Sequence, residues 1–116
     1  KYRLSYILVA HDLSVVKHFC DRVYVMYLGK IMEEGKTEDV FNNPLNPYTM
    51  SLISAIPGIE GGRRIILSGD IPSPLNYPKG CPFNTRCFRV FDKCGEFDPG
   101  LYLKNDQYVS CLLYEN

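Results

Sequence analysis

A run of apolar residues, Tyr6-Ile7-Leu8-Val9-Ala10, ends in His11-Asp12-Leu13. It does not alternate, which is the pattern of a central parallel strand buried on both faces, and the expected strand covers residues 4–10. A helix is expected over 14–20, with Leu13, Val16, Phe19 and Cys20 on one face and Asp12 or Ser14 at its start. Two further strands are expected over 22–28 and 30–34, joined by a tight turn at Gly29. The order strand, helix, strand, strand makes this part an α/β unit. It also places a titratable side chain, His11, at the C-terminal end of a buried strand, the edge where open α/β sheets keep their ligands. A histidine held there can donate a hydrogen bond to a phosphate oxygen or position an attacking water. The competing reading is a loop histidine satisfied by local hydrogen bonds. His18 lacks such a context and reads as a solvated helix residue.

The chain changes character after residue 43. Thr37 is expected to cap a short helix, with Glu38 and Asp39 in its first turn, where the helix dipole favours acids. Asn42-Asn43-Pro44 ends it. Asn46-Pro47 opens a third helix, asparagine at the cap and proline at the first helical position, which stops at Pro57-Gly58. Residues 64–67 are expected to form a short strand. From Gly69 onward turns dominate, with Pro72, Pro74, Pro78, Pro82 and Pro99, yet four of the five cysteines lie there. A loop-rich region with little core usually needs a covalent or metal staple.

Those cysteines, Cys81, Cys87, Cys94 and Cys111, have the spacing C-x5-C-x6-C-x16-C. It is not the paired C-x2-C of a zinc ribbon. In a reducing compartment clustered cysteines read as metal ligands before disulfides, and four thiolates suit either a tetrahedral zinc or an iron–sulfur cluster. Spacing does not choose between the two. Lys79, Arg86, Arg89 and Lys93 flank the first three and are expected to lower the thiol pKa values. Free thiols or two disulfides are the alternative. Cys20 stands apart and reads as a small buried hydrophobe.

Composition narrows the remaining classes. The 13 basic and 13 acidic residues cancel, and they balance locally as well, so nothing suggests a nucleic-acid partner. No apolar run reaches the roughly 18–20 residues of a membrane span. Lys1-Tyr2-Arg3-Leu4-Ser5 does not open a signal peptide. The expectation is a soluble, cytosolic chain that meets a membrane through a partner.

The first segment resembles the end of an ABC-transporter nucleotide-binding domain in order and spacing: a strand, His-Asp-Leu, a short helix, Asp21-Arg22, a strand, Gly29-Lys30, and a strand ending Glu33-Glu34-Gly35. No G-x-x-x-x-G-K-[ST] phosphate loop occurs, nor the family's signature loop or acidic Walker B strand. The second segment resembles the C-terminal extension of ATP-binding subunits of oligopeptide/dipeptide (and nickel) ABC importers. The residues that carry this likeness are Asn43-Pro44, Asn46-Pro47-Tyr48-Thr49, Ala55-Ile56-Pro57, Gly69-Asp70-Ile71-Pro72-Ser73-Pro74, Gly80-Cys81, Arg86-Cys87, Cys94 and Cys111. Asn46 stands where the family usually has histidine, and Phe88 where it has proline.

The resemblance implies an α/β fragment, the trailing part of a RecA-like ATPase core, over residues 1–43. An irregular, loop-rich α+β extension would follow over 44–116. It implies that the parent binds ATP and magnesium and drives peptide import, with His11 as the residue sensing the γ-phosphate. Without a phosphate loop this piece alone is not expected to hydrolyse ATP. Cys81, Cys87, Cys94 and Cys111 are implied to hold a 4Fe–4S cluster, with zinc or oxidised thiols possible in the isolated piece. Implied partners are a second ATP-binding subunit and permease subunits at the cytoplasmic face of the membrane. The isolated fragment is expected to self-associate through its unpaired apolar strand. Two rival readings remain: a self-contained cysteine-ligated metal module, and a small disulfide-stapled protein.

Overall fold

Leu28 and Gly29 adopt φ of +50° and +77°. Two successive left-handed residues make a turn whose twist matches that of flanking antiparallel strands. They join β1 (Arg22–Tyr27) to β2 (Lys30–Lys36), with Tyr27 opposite Lys30. A second two-residue turn, Asn105 and Asp106 at φ +52° and +63°, joins β3 (Tyr102–Lys104) to β4 (Gln107–Val109). The computed structural model describes residues 5–10, 12–56, 64–67 and 69–115. In it β4 returns to pair with β2, Glu33 opposite Val109 and Glu34 opposite Tyr108. The result is an antiparallel sheet of order β1-β2-β4-β3, drawing two strands from each side of residue 43.

Three α-helices are present among the described residues, of which α2 and α3 pack against β2. α1 (Leu13–Phe19) is capped by Asp12, whose carboxylate accepts the Ser14 amide at 2.9 Å. α2 (Thr37–Asn42) follows β2 directly. Thr37 was the expected cap, but Lys36 holds that position without a side-chain bond, because β2 runs two residues further than its alternation suggested. α3 (Pro47–Ser54) opens as expected, with Pro47 in its first turn and the Asn46 side chain accepting the Tyr48 amide at 2.9 Å.

Apolar burial is divided among three clusters. Val16, Phe41 and Ile53 join α1, α2 and α3, with Cys20 half-buried against them. Tyr27, Met32 and Phe83 form the second, in which Tyr48 packs edge-on to Tyr27 with ring centroids 4.8 Å apart. Leu45, Val109 and Cys111 form the third. Phe83, 1% exposed, carries the turn-rich segment into the sheet's core.

Two expected strands are absent. Residues 5–10 carry no regular structure, and Tyr6, Ile7 and Val9 are more than four-fifths exposed. A strand requires a neighbour for its amides and carbonyls, and this segment has none among the described residues. Residues 64–67 likewise form no ladder; the Ile65 amide donates to Ser54 Oγ at 2.9 Å.

Candidate functional site

The segment after Gly69 folds around its cysteines by short local hydrogen bonds. Cys81 N donates to Cys94 O at 2.8 Å, Asn84 N to Cys81 O at 3.0 Å, and Cys94 N to Phe91 O at 2.9 Å. The close approach of residues 81 and 94 depends on Gly80. Its φ is +78°, and a Cβ there would collide with the Cys94 carbonyl oxygen. Cys111 arrives separately, on the stretch following β4.

All four cysteines of the C-terminal region, Cys81, Cys87, Cys94 and Cys111, line one cavity. Met32, Asn46, Pro47, Phe91 and Arg89 are also part of its wall, and its enclosed volume is about 20 Å³, room for a single water. The thiols are unbridged, and Cys94 and Cys111 are buried. Among the described residues, no group of three or more His, Cys, Asp or Glu side chains is gathered so as to hold a metal ion. The cavity therefore brings four soft donors to one wall without focusing them on a point.

Backbone amides are aimed at three of these sulfurs. Each comes from the second residue after its cysteine: Phe83 to Cys81, Arg89 to Cys87, at 3.4 Å, and Leu113 to Cys111. Such donors favour the thiolate, but burial outweighs them. It pushes the Cys81 and Cys87 thiols up and Cys111 to about 11. The flanking cation Arg89 does pull the Cys87 thiol down, as expected, but desolvation of the charged form is the larger effect. The cations are also placed differently. Lys93 pairs with Glu115 at 2.7 Å. Arg89 does act on Cys87, but the cation acting on Cys81 is Lys30, from β2, paired with Asp98. A bound metal cation would reverse the balance, because a coordinating thiol is deprotonated outright.

One residue of this wall, Asn46, and the buried Glu33 behind it carry no site signal in the sequence. Asn46 reads in sequence only as a helix cap, yet it is 1% exposed and lines the cavity. Its amide Nδ2 donates to Met32 O at 3.1 Å and Ser110 O at 2.8 Å. Behind it Glu33, with no exposed surface, accepts from the amides of Leu45 and Asn46 and from Gln107 Nε2. Its signal, an acid in an apolar strand, resembles any half-buried alternation. His11 lies outside the described residues. His18 is exposed on α1.

Residues 32–94 match the family described as oligopeptide/dipeptide transporter, C-terminal region, which is more than half of the 116 residues. The chain belongs to that family. The C-terminal region so identified contains Cys81, Cys87, Cys94, Asn46 and Glu33, while Cys111 lies beyond the matched span. The chain is 50% identical over 111 residues to the dipeptide transport ATP-binding protein DppF of Escherichia coli, covering 93% of this chain and 33% of that protein. It is 48% identical over 112 residues to DppF of Haemophilus influenzae, covering 93% and 34%. To the oligopeptide transport ATP-binding protein AppF of Bacillus subtilis it is 44% identical over 120 residues, covering 98% and 36%. The chain thus spans about a third of the length of these curated relatives. No helix among the described residues is long and apolar enough to cross a membrane.

Proposed function

We propose that this chain is the C-terminal part of an ATP-binding subunit that powers import of oligopeptides or dipeptides through a membrane permease. In this reading Cys81, Cys87, Cys94 and Cys111 hold a 4Fe–4S cluster. The observation that carries the site is the placement of four thiols, from two separate stretches, on one cavity. The transport reading is supported by the relatives' names and the family match.

Four thiols that line one cavity without gathering on a point would suit a cluster better than a single zinc ion. Four thiolates on one zinc would sit ~2.3 Å from it and crowd together. In a 4Fe–4S cluster each thiolate meets a different iron, so the sulfurs stay apart around a shared space. If held by Cys81, Cys87, Cys94 and Cys111, a cluster would supply a cross-link and a redox couple. The chain's own residues do the rest. Phe83, Arg89 and Leu113 direct amides at sulfurs, while Lys30 and Arg89 offset the negative charge of the thiolates.

Residues 1–43 would close the RecA-like nucleotide-binding core, with His11 at the γ-phosphate, and residues 44–116 form the extension. ATP and magnesium would bind elsewhere in the parent, which would pair with a second ATP-binding subunit and sit peripherally on the cytoplasmic face of the membrane, against the permease. Exposed Tyr6, Ile7 and Val9 favour self-association of the isolated piece. The test uses the full-length subunit purified without oxygen. Iron and sulfide in equal amounts are expected, together with ATP turnover that His11→Ala removes. Zinc in place of iron contradicts the cluster, and full turnover in the variant contradicts the histidine's role.

A further inference from the structure

We infer that Asn46 is the positioning residue for Cys111, and that the Leu45–Asn46 turn sets where the fourth thiol meets the other three. The inference rests on the four-cysteine site proposed above. Cys81, Cys87 and Cys94 share one continuous stretch, Cys94 in a short 3-10 turn (Asp92–Gly95), whereas Cys111 follows β4. The β2–β4 ladder pairs only Glu33 with Val109 and Glu34 with Tyr108. One residue on, the Ser110 amide still donates to Met32 O at 2.8 Å. The Ser110 carbonyl turns instead to Asn46 Nδ2 at 2.8 Å, and the same nitrogen donates to Met32 O at 3.1 Å. One carboxamide thus ties two backbone carbonyls at the point where Cys111 leaves the sheet.

The far side of Cys111 is held to the same turn. The Tyr114 hydroxyl donates to Leu45 O at 2.6 Å. Between these anchors Cys111 is extended, φ −158° and ψ 131°. The turn is itself fixed, because the Leu45 and Asn46 amides both donate to the buried Glu33 carboxylate. A residue needed only to cap α3 requires one acceptor oxygen, which serine, threonine or aspartate supplies as well. The two donor bonds are what the amide adds.

The test is site-resolved alkylation of the whole chain, reduced and metal-free, with iodoacetamide and read by mass spectrometry. Asn46→Asp keeps the cap oxygen and removes both donors. It is expected to speed modification of Cys111 by about tenfold, equivalent to about 1.4 kcal/mol of local protection, with Cys81, Cys87 and Cys94 unchanged. Tyr114→Phe removes one bond near the surface and is expected to act in the same direction, more weakly, which keeps the question decidable should Asn46→Asp unfold. Equal acceleration at all four thiols, or none at Cys111, overturns the inference. Reconstitution with ferrous iron and sulfide is run in parallel on the wild-type chain. If it takes up no iron the cluster reading fails, while the positioning of Cys111 stands or falls on alkylation.

Discussion

Glu33 shows how a single carboxylate couples the sheet to the site. It has no exposed surface, and burial raises its pKa above the ordinary 4.5, although the Asn46 and Leu45 amides pull it back. A carboxyl whose folded pKa is raised binds its proton more tightly in the folded state. Its contribution to stability is therefore complete below pH 4.5 and is lost as pH rises through the folded value. Glu33→Gln removes that titration. It also turns an amide nitrogen toward Gln107 Nε2, a donor against a donor, at a cost of ~1–3 kcal/mol. Denaturant unfolding of both proteins at pH 4.5 and at neutral pH is expected to show the gap between them narrowing as pH rises. A widening gap would mean that the amides outweigh burial. The residue types of this site were legible in the sequence, the cysteines above all. The direction of their pKa shifts was not, because charged neighbours are visible in sequence and desolvation is not.

At the level of elements, several local sequence signals held, although Thr37 does not cap α2 and Phe19 is exposed on α1. Asp12 and Asn46 cap their helices, and the Gly29 turn joins its two strands. The signals failed where a partner decides. Tyr6-Ile7-Leu8-Val9-Ala10 has the composition of a buried strand, but no described strand pairs with it. Conversely β3 and β4, three residues each, are too short to show alternation in the sequence. They form because Asn105 and Asp106 accept left-handed backbone, which short polar side chains tolerate. Asp106→Gly is therefore expected to leave stability unchanged or slightly raised. Asp106→Val, a β-branched residue at φ +63°, is expected to cost about 1–2 kcal/mol relative to it. Thermal unfolding of the pair measures this, and equal melting temperatures would contradict the turn.

For the whole molecule, the two segments that differ in composition share one sheet, β1 and β2 from the first, β3 and β4 from the second. The turn-rich segment is fastened by Phe83 in the aromatic cluster, by the β2–β4 ladder and by Asn46. The cysteine cavity lies where those three attachments converge, so a group bound there would join the C-terminal stretch, the 80–95 loop and the start of α3. That arrangement was not readable from spacing, since nothing in C-x5-C-x6-C-x16-C says which strand Cys111 follows. Four cysteines, and not the fifth, are proposed to share one site. The most direct measurement is bound iron after anaerobic reconstitution of five single Cys→Ser variants. Iron is expected to be lost in the Cys81, Cys87, Cys94 and Cys111 variants and to stay at wild-type content in the Cys20 variant, whose thiol packs among the α1–α3 residues. Wild-type iron in any of the four, or loss in the Cys20 variant, would contradict it.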